Sequence, residues 1–149
     1  MPFGEAFGSS LLRKKRQVAA LVFRLSNDGR LEILLITSLG TGRAIIPKGW
    51  QMKGLMDYQA AAREAYEEAG IVGKISHTPI GSYEYIKRLA STFQLVSVDV
   101  FPLRAKYQRK TWPERGHREV GWFTPEEAAS LVSEPALSTL LRRFAPTSK

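Results

Sequence analysis

The chain has 149 residues, of which 44% are hydrophobic and 24% charged, enough for one domain with a sizeable core and unlike a disordered or low-complexity protein. It contains no cysteine, which excludes a disulfide framework and a thiolate metal site. Its formal charge of +8 favours a polyanionic partner (nucleic acid, a phosphorylated small molecule or an acidic membrane surface), with a merely solubilising surface as the alternative.

Residues 1–12 contain Gly and Ser, show weak periodicity and read as a mobile arm; 13–149 read as a single domain. No basic n-region followed by a long apolar run opens the chain and no stretch reaches transmembrane length, so a cytoplasmic protein without membrane contact is expected. The basic run Arg13, Lys14, Lys15, Arg16 leads into an apolar strand over 17–25, and Ser26-Asn27-Asp28-Gly29 is a turn by its chemistry. Residues 31–37 form the paired strand of a hairpin. A Gly-containing loop over 38–42, Arg43 and a brief strand over 44–46 end at Pro47.

Asp57 is placed to N-cap a helix that Gly70 ends. Strands follow over 71–75 and 81–86, then the most regular one over 93–101, where period two puts Val96, Val98 and Val100 on one core face. Residues 104–116 read as a long polar loop and 118–123 as a last strand. Thr124-Pro125-Glu126-Glu127 carries a cap, a first-turn proline and a capping-box glutamate. Ser133-Glu134-Pro135 opens a final helix whose Leu137, Leu140, Leu141 and Phe144 make a stripe for docking on the sheet. Strands interleaved with helices predict an α/β fold, a mixed sheet covered by helices on both faces.

The chemistry gathers in the helix after Asp57. Glu64, Glu67 and Glu68 stand at i, i+3 and i+4, so their carboxylates project from one side and repel. Arg63 offsets part of that repulsion; a hard divalent cation, Mg²⁺ or Mn²⁺, would satisfy it better. A solvated acidic face is the plain alternative.

Gly49 and then Arg63-Glu64-Ala65-x-Glu67-Glu68-x-Gly70-Ile71 stand at the spacings of the Nudix box, G-x5-E-x7-R-E-U-x-E-E-x-G-U with U apolar, and the chain resembles a Nudix hydrolase. One position departs: the first glutamate of the pattern falls at 55, where this chain has Leu55. The resemblance implies a Nudix-type α/β/α sandwich and a metal-dependent pyrophosphohydrolase that cleaves a phosphoanhydride bond by water attack. It implies Glu64, Glu67 and Glu68 as metal ligands, with Glu64 or Glu67 also serving as base and Glu119 the candidate base outside the box; an exposed strand glutamate is the alternative for Glu119. Gly49, Arg63 and Gly70 are then structural box residues, Gly49 permitting a close turn and Arg63 holding the loop.

RKKRQVAALVFR, GRAIIPKGW and WPERGHREVGWFTPEEA are similar to segments of the branch that hydrolyses diphosphoinositol polyphosphates and diadenosine polyphosphates. That likeness implies Arg16, Arg43 and Arg118 as a basic substrate pocket with Lys15 and Arg88 nearby; Lys48 and Lys53, flanking the box loop, are further phosphate-binding candidates. Solvated surface cations are the alternative for each. The rival functions are pyrophosphate removal from RNA 5′ ends and a non-catalytic nucleotide-binding sensor, which Leu55 leaves open.

Overall fold

The computed structural model describes residues 14–146, so the mobile arm expected over residues 1–12 lies outside the described residues. Its strands are β1 (Lys15–Leu25), β2 (Leu31–Thr37), β3 (Ala44–Ile45), β4 (Lys48–Trp50), β5 (Ile71–Ile75), β6 (Gly81–Arg88), β7 (Phe93–Gln108) and β8 (Val120–Phe123). The helices are α1 (Asp57–Ala69), α2 (Pro125–Leu131) and α3 (Pro135–Arg143). Among the described residues no helix is long and apolar enough to cross a membrane.

The sheet runs β3-β2-β1-β7-β5, with β4 also on β1, β6 on β7 and β8 on β2. β1 and β7 pair in parallel and the other pairs are antiparallel, so the sheet is mixed as expected. The first hairpin turns where Ser26 and Arg30 bond across it, with Gly29 at φ 83, a left-handed conformation that glycine takes without steric cost. β1 changes partner along its length. Phe23 to Leu25 pair with β2, whereas Gln17 to Ala19 pair with β4, and between them the Ala20 N–H donates to the Pro47 carbonyl. This fork brings the loop around Pro47 into the sheet beside α1.

Strand alternation divides the core in two. Ala19, Leu21, Val96, Val98 and Val100 face α2 and α3, where Leu137 and Leu141 are fully buried. Val18, Ala20, Val22, Leu34 and Ile36 face α1, which answers with Ala60, Ala61, Ala65 and Ala69. Four alanines on one stripe let the helix backbone sit close to the sheet, and that proximity carries the neighbouring glutamates inward.

The structure corrects three local expectations. Asp57 is the first helical residue, not the cap; the Met56 N–H bonds the Gln59 side chain at 2.8 Å, which frees the Asp57 carboxylate to accept from Gln51 and Arg16. β7 extends to Gln108, so residues 104–108 of the expected polar loop are strand, paired with β5 in spite of their polar side chains. β4 is a strand too short to be legible beforehand. The Thr124 cap forms as expected, its hydroxyl accepting from the Glu127 N–H at 3.1 Å.

Candidate active site

Helix α1 ends at Gly70, φ 71, whose N–H donates to the Tyr66 carbonyl at 2.8 Å; the Trp112 ring lies over this glycine where any Cβ would sit. One turn apart, Glu64 and Glu68 flank the alanine stripe and are buried, only 9% and 6% exposed. Their seat is β4. A Cβ on Gly49 would overlap the Glu64 carboxylate, and the Lys48 N–H donates to Glu68 Oε1 at 3.2 Å. The close approach that calls for a glycine here is that of the carboxylate packed on it; its φ is not among the positive ones.

Burial without full neutralisation raises both acids. Glu68 is pushed up to about 8 by desolvation, against the pull of Arg118 at 3.6 Å. Glu64 is raised by desolvation as well, and each of the two acids bears on the other's charge. A proton shared by the pair or a divalent cation held between them would satisfy two such acids. Glu67 leans outward, 3.5 Å from Arg63 and about a third exposed. Among the described residues no three acidic or imidazole groups converge on one point. The donor set that fits a hard cation is thus the Glu64–Glu68 pair.

The remaining expected site residues are scattered. Arg118 is nearly buried beside Glu68, donating to Glu114 at 2.7 Å and to the Thr37 carbonyl at 2.9 Å. Lys48 is half-buried; its ammonium donates to the Tyr85 hydroxyl at 3.3 Å and burial pushes it below the usual lysine range, with Glu68 pulling the other way. Arg16 is bound by Asp99 and Asp57 on the α1 side of the sheet, its guanidinium held above its usual range chiefly by the hydrogen bond to Asp99. Lys53 is exposed on the box loop and Arg43 on the loop before β3. Arg88 is exposed at the end of β6, 5.8 Å over the Phe93 ring. Glu119 is exposed and lines a separate cleft with Thr37, Ala44 and Leu131. Leu55, Gln59, Arg63 and Tyr66 line a hollow of about 360 Å³ between α1 and β5, closed by Val72, Gly73 and Leu103.

Three residues missed by the sequence reading stand in this region. Tyr85 donates to Gln17 Oε1 at 2.7 Å and lies under the Lys48 ammonium, 4.6 Å from its ring centre; burial pushes its phenol up to about 12, so it stays a donor. Glu114 holds Arg118 from the loop after β7. The alternation of β6 signals that Tyr85 shares a face with the buried Tyr83, but nothing local in sequence links Gln17 or Glu114 to the box.

A buried carboxylate pair on a helix is thus seated on a glycine strand at a fork in a mixed sheet. The family model described as NUDIX domain matches residues 15–144, and the chain belongs to the Nudix family. It is 31% identical over 142 residues to Nudix hydrolase 17, mitochondrial, of Arabidopsis thaliana, covering 87% of this chain and 76% of that protein. To Nudix hydrolase 18, mitochondrial, of the same plant it is 29% identical, covering 87% and 78%. A crystal structure of a C. elegans Ap4A hydrolase binary complex superposes with a TM-score of 0.65 over 87% of this chain and 94% of that one; at 23% identity it shows the shared fold. The cytoplasmic location expected from the opening residues is contradicted: these similar plant proteins carry mitochondrial names. The lack of an apolar h-region, on which that expectation rested, speaks only to a secretory signal, whereas organelle-targeting segments are Arg- and Ser-rich.

Proposed function

We propose that the protein is a metal-dependent pyrophosphohydrolase that splits a phosphoanhydride bond in a highly phosphorylated substrate of the diadenosine polyphosphate or diphosphoinositol polyphosphate type. The observation that carries this reading is the buried Glu64–Glu68 pair, two acids raised by desolvation and flanked by Arg118 and Lys48. Such an arrangement costs stability, and a task that needs acids and cations side by side accounts for its presence.

Glu64 and Glu68 would hold Mg²⁺ or Mn²⁺, with Glu67 as a third ligand or as the base. A bound divalent ion supplies charge neutralisation at the phosphates and a more acidic water. Glu67, accessible and paired with Arg63, would accept a proton from an approaching water. Glu119 lines a different cleft and ranks behind it as base. Lys48, on the strand that seats the two acids, would bind a substrate phosphate. Arg118, through Glu68, Glu114 and the Thr37 carbonyl, acts by orienting the carboxylate pair more than by reaching out to substrate. Arg43, Lys53 and Arg88, being exposed, are the cations free to meet the far end of a long polyanion.

The similarity in fold to an Ap4A hydrolase makes a dinucleoside polyphosphate the first substrate to try. The net charge of +8 supports 5′-triphosphorylated RNA as a second reading. Incubation of the purified chain with diadenosine tetraphosphate, a diphosphoinositol polyphosphate and triphosphorylated RNA, each with Mg²⁺ or Mn²⁺, separates these by product. Binding of all three with turnover of none would leave a sensor and overturn the hydrolase assignment.

A further inference from the structure

Leu55 stands where the box pattern has a glutamate, and it shares the hollow of about 360 Å³ between α1 and β5 with Arg63. A carboxylate at position 55 would have faced that guanidinium across the hollow. With leucine there, the acidic partner of Arg63 among the described residues is Glu67, one turn along the same helix at 3.5 Å, and the arginine side chain stays 54% exposed. The hollow is open because the pairing of β5 with β7 slips between Val72 and Gly73, and Gly73 brings no side chain to fill it. Its lining is of two kinds. Leu55, Val72 and Leu103 are apolar, whereas Gln59, Arg63 and Tyr66 carry donors. The Gln59 oxygen already accepts from the Met56 N–H, which leaves its amide nitrogen to donate. A second guanidinium, that of Arg109, lies 5.8 Å from the Tyr66 ring centre. Neither Glu64 nor Glu68 lines the hollow.

We propose that this hollow is a second binding site, for a small organic carboxylate with an apolar body, whose acid group takes the place at Arg63 that the box glutamate would have filled. Charge and shape select the ligand together. Donors and two guanidinium groups favour an anion, and the planar fork of Arg63 matches a carboxylate with two parallel hydrogen bonds. The apolar lining rewards a hydrocarbon body, which inorganic anions and the phosphate chain of a polyphosphate lack. The site does not depend on the pyrophosphohydrolase reading, since it uses none of the residues assigned to hold metal or phosphate there except through the contact of Arg63 with Glu67.

The test is a methyl-detected NMR titration of the full chain with 3-phenylpropionate, with its neutral amide and with acetate, which reads affinity and location at once. The wild type is expected to bind 3-phenylpropionate roughly 10-fold or more tightly than either control, since the amide lacks the charge and acetate the apolar body. The shifts should centre on the methyl groups of Leu55, Val72 and Leu103. Leu55→Glu, which returns the box residue and an internal partner for Arg63, should abolish this binding, and Arg63→Gln should remove the preference for the acid over the amide. Equal binding of all three probes by the wild type overturns the proposal and needs no variant to fold. Shifts centred elsewhere overturn it as well, as does a Leu55→Glu variant that binds 3-phenylpropionate as tightly as the wild type.

Discussion

At Gly49 the absence of one carbon decides where an acid sits. A methyl group there would overlap the Glu64 carboxylate, so Gly49→Ala must displace either β4 or the acid, at an overpacking cost of about 1–3 kcal/mol. The expected outcome is a folded protein, by urea unfolding, whose kcat/KM falls at least roughly tenfold; unchanged kcat/KM would mean that the packing of Glu64 on Gly49 is irrelevant to turnover. Glu68 makes a pH prediction. Its native pKa of about 8 lies above its ordinary 4.5, so between those values the folded protein keeps a proton that the unfolded chain has shed. Its contribution to metal-free stability is full below pH 4.5 and is lost as pH rises to about 8. Mg²⁺ must displace that proton, so affinity in a Mg²⁺ titration should rise from pH 6 to about 8 and then level. A pH-independent affinity would contradict the retained proton.

The box helix was legible in sequence because everything that makes it is local: the alanine stripe, the glutamate spacing and the terminal Gly70. The valine alternation of β7 and the leucine stripe of α3 were legible for the same reason; the three valines, Leu137 and Leu141 are buried, and Leu140 and Phe144 partly so. Deleting part of that stripe by Leu137→Ala should cost about 2–5 kcal/mol, read as a lowered urea midpoint with an unchanged slope. A loss below 1 kcal/mol would place α3 outside the cooperative core. What sequence could not show is which distant groups meet. Arg118 stands 50 positions beyond Glu68 yet lies beside it, and Arg16 is taken up by Asp57 and Asp99, 41 and 83 positions away. Cations look alike in a sequence; burial and partners separate those that organise carboxylates from those that face solvent.

For the whole molecule, the surplus of base over acid is a statement about encounter and not about fold. With a charge of +8, capture of the proposed polyanionic substrate would be steered at long range, and the Debye length shrinks from about 10 Å to about 3 Å between 0.1 and 1 M salt. kcat/KM should therefore drop several-fold over that range, chiefly through KM; a flat salt profile would show that the basic surface does not serve substrate capture. The mixed sheet forks at Ala20, and the fork is where the two sides of the site meet: carboxylates from α1, cations and tyrosine from β4 and β6. The central claim, that the Glu64–Glu68 pair drives phosphoanhydride hydrolysis, is tested most directly by turnover of diadenosine tetraphosphate with Mg²⁺ by the wild-type chain and by Glu68→Gln. The account predicts metal-dependent release of nucleotide products by the wild type and a loss of roughly 10²-fold or more in kcat for the variant; a variant that turns over as fast as the wild type would contradict it.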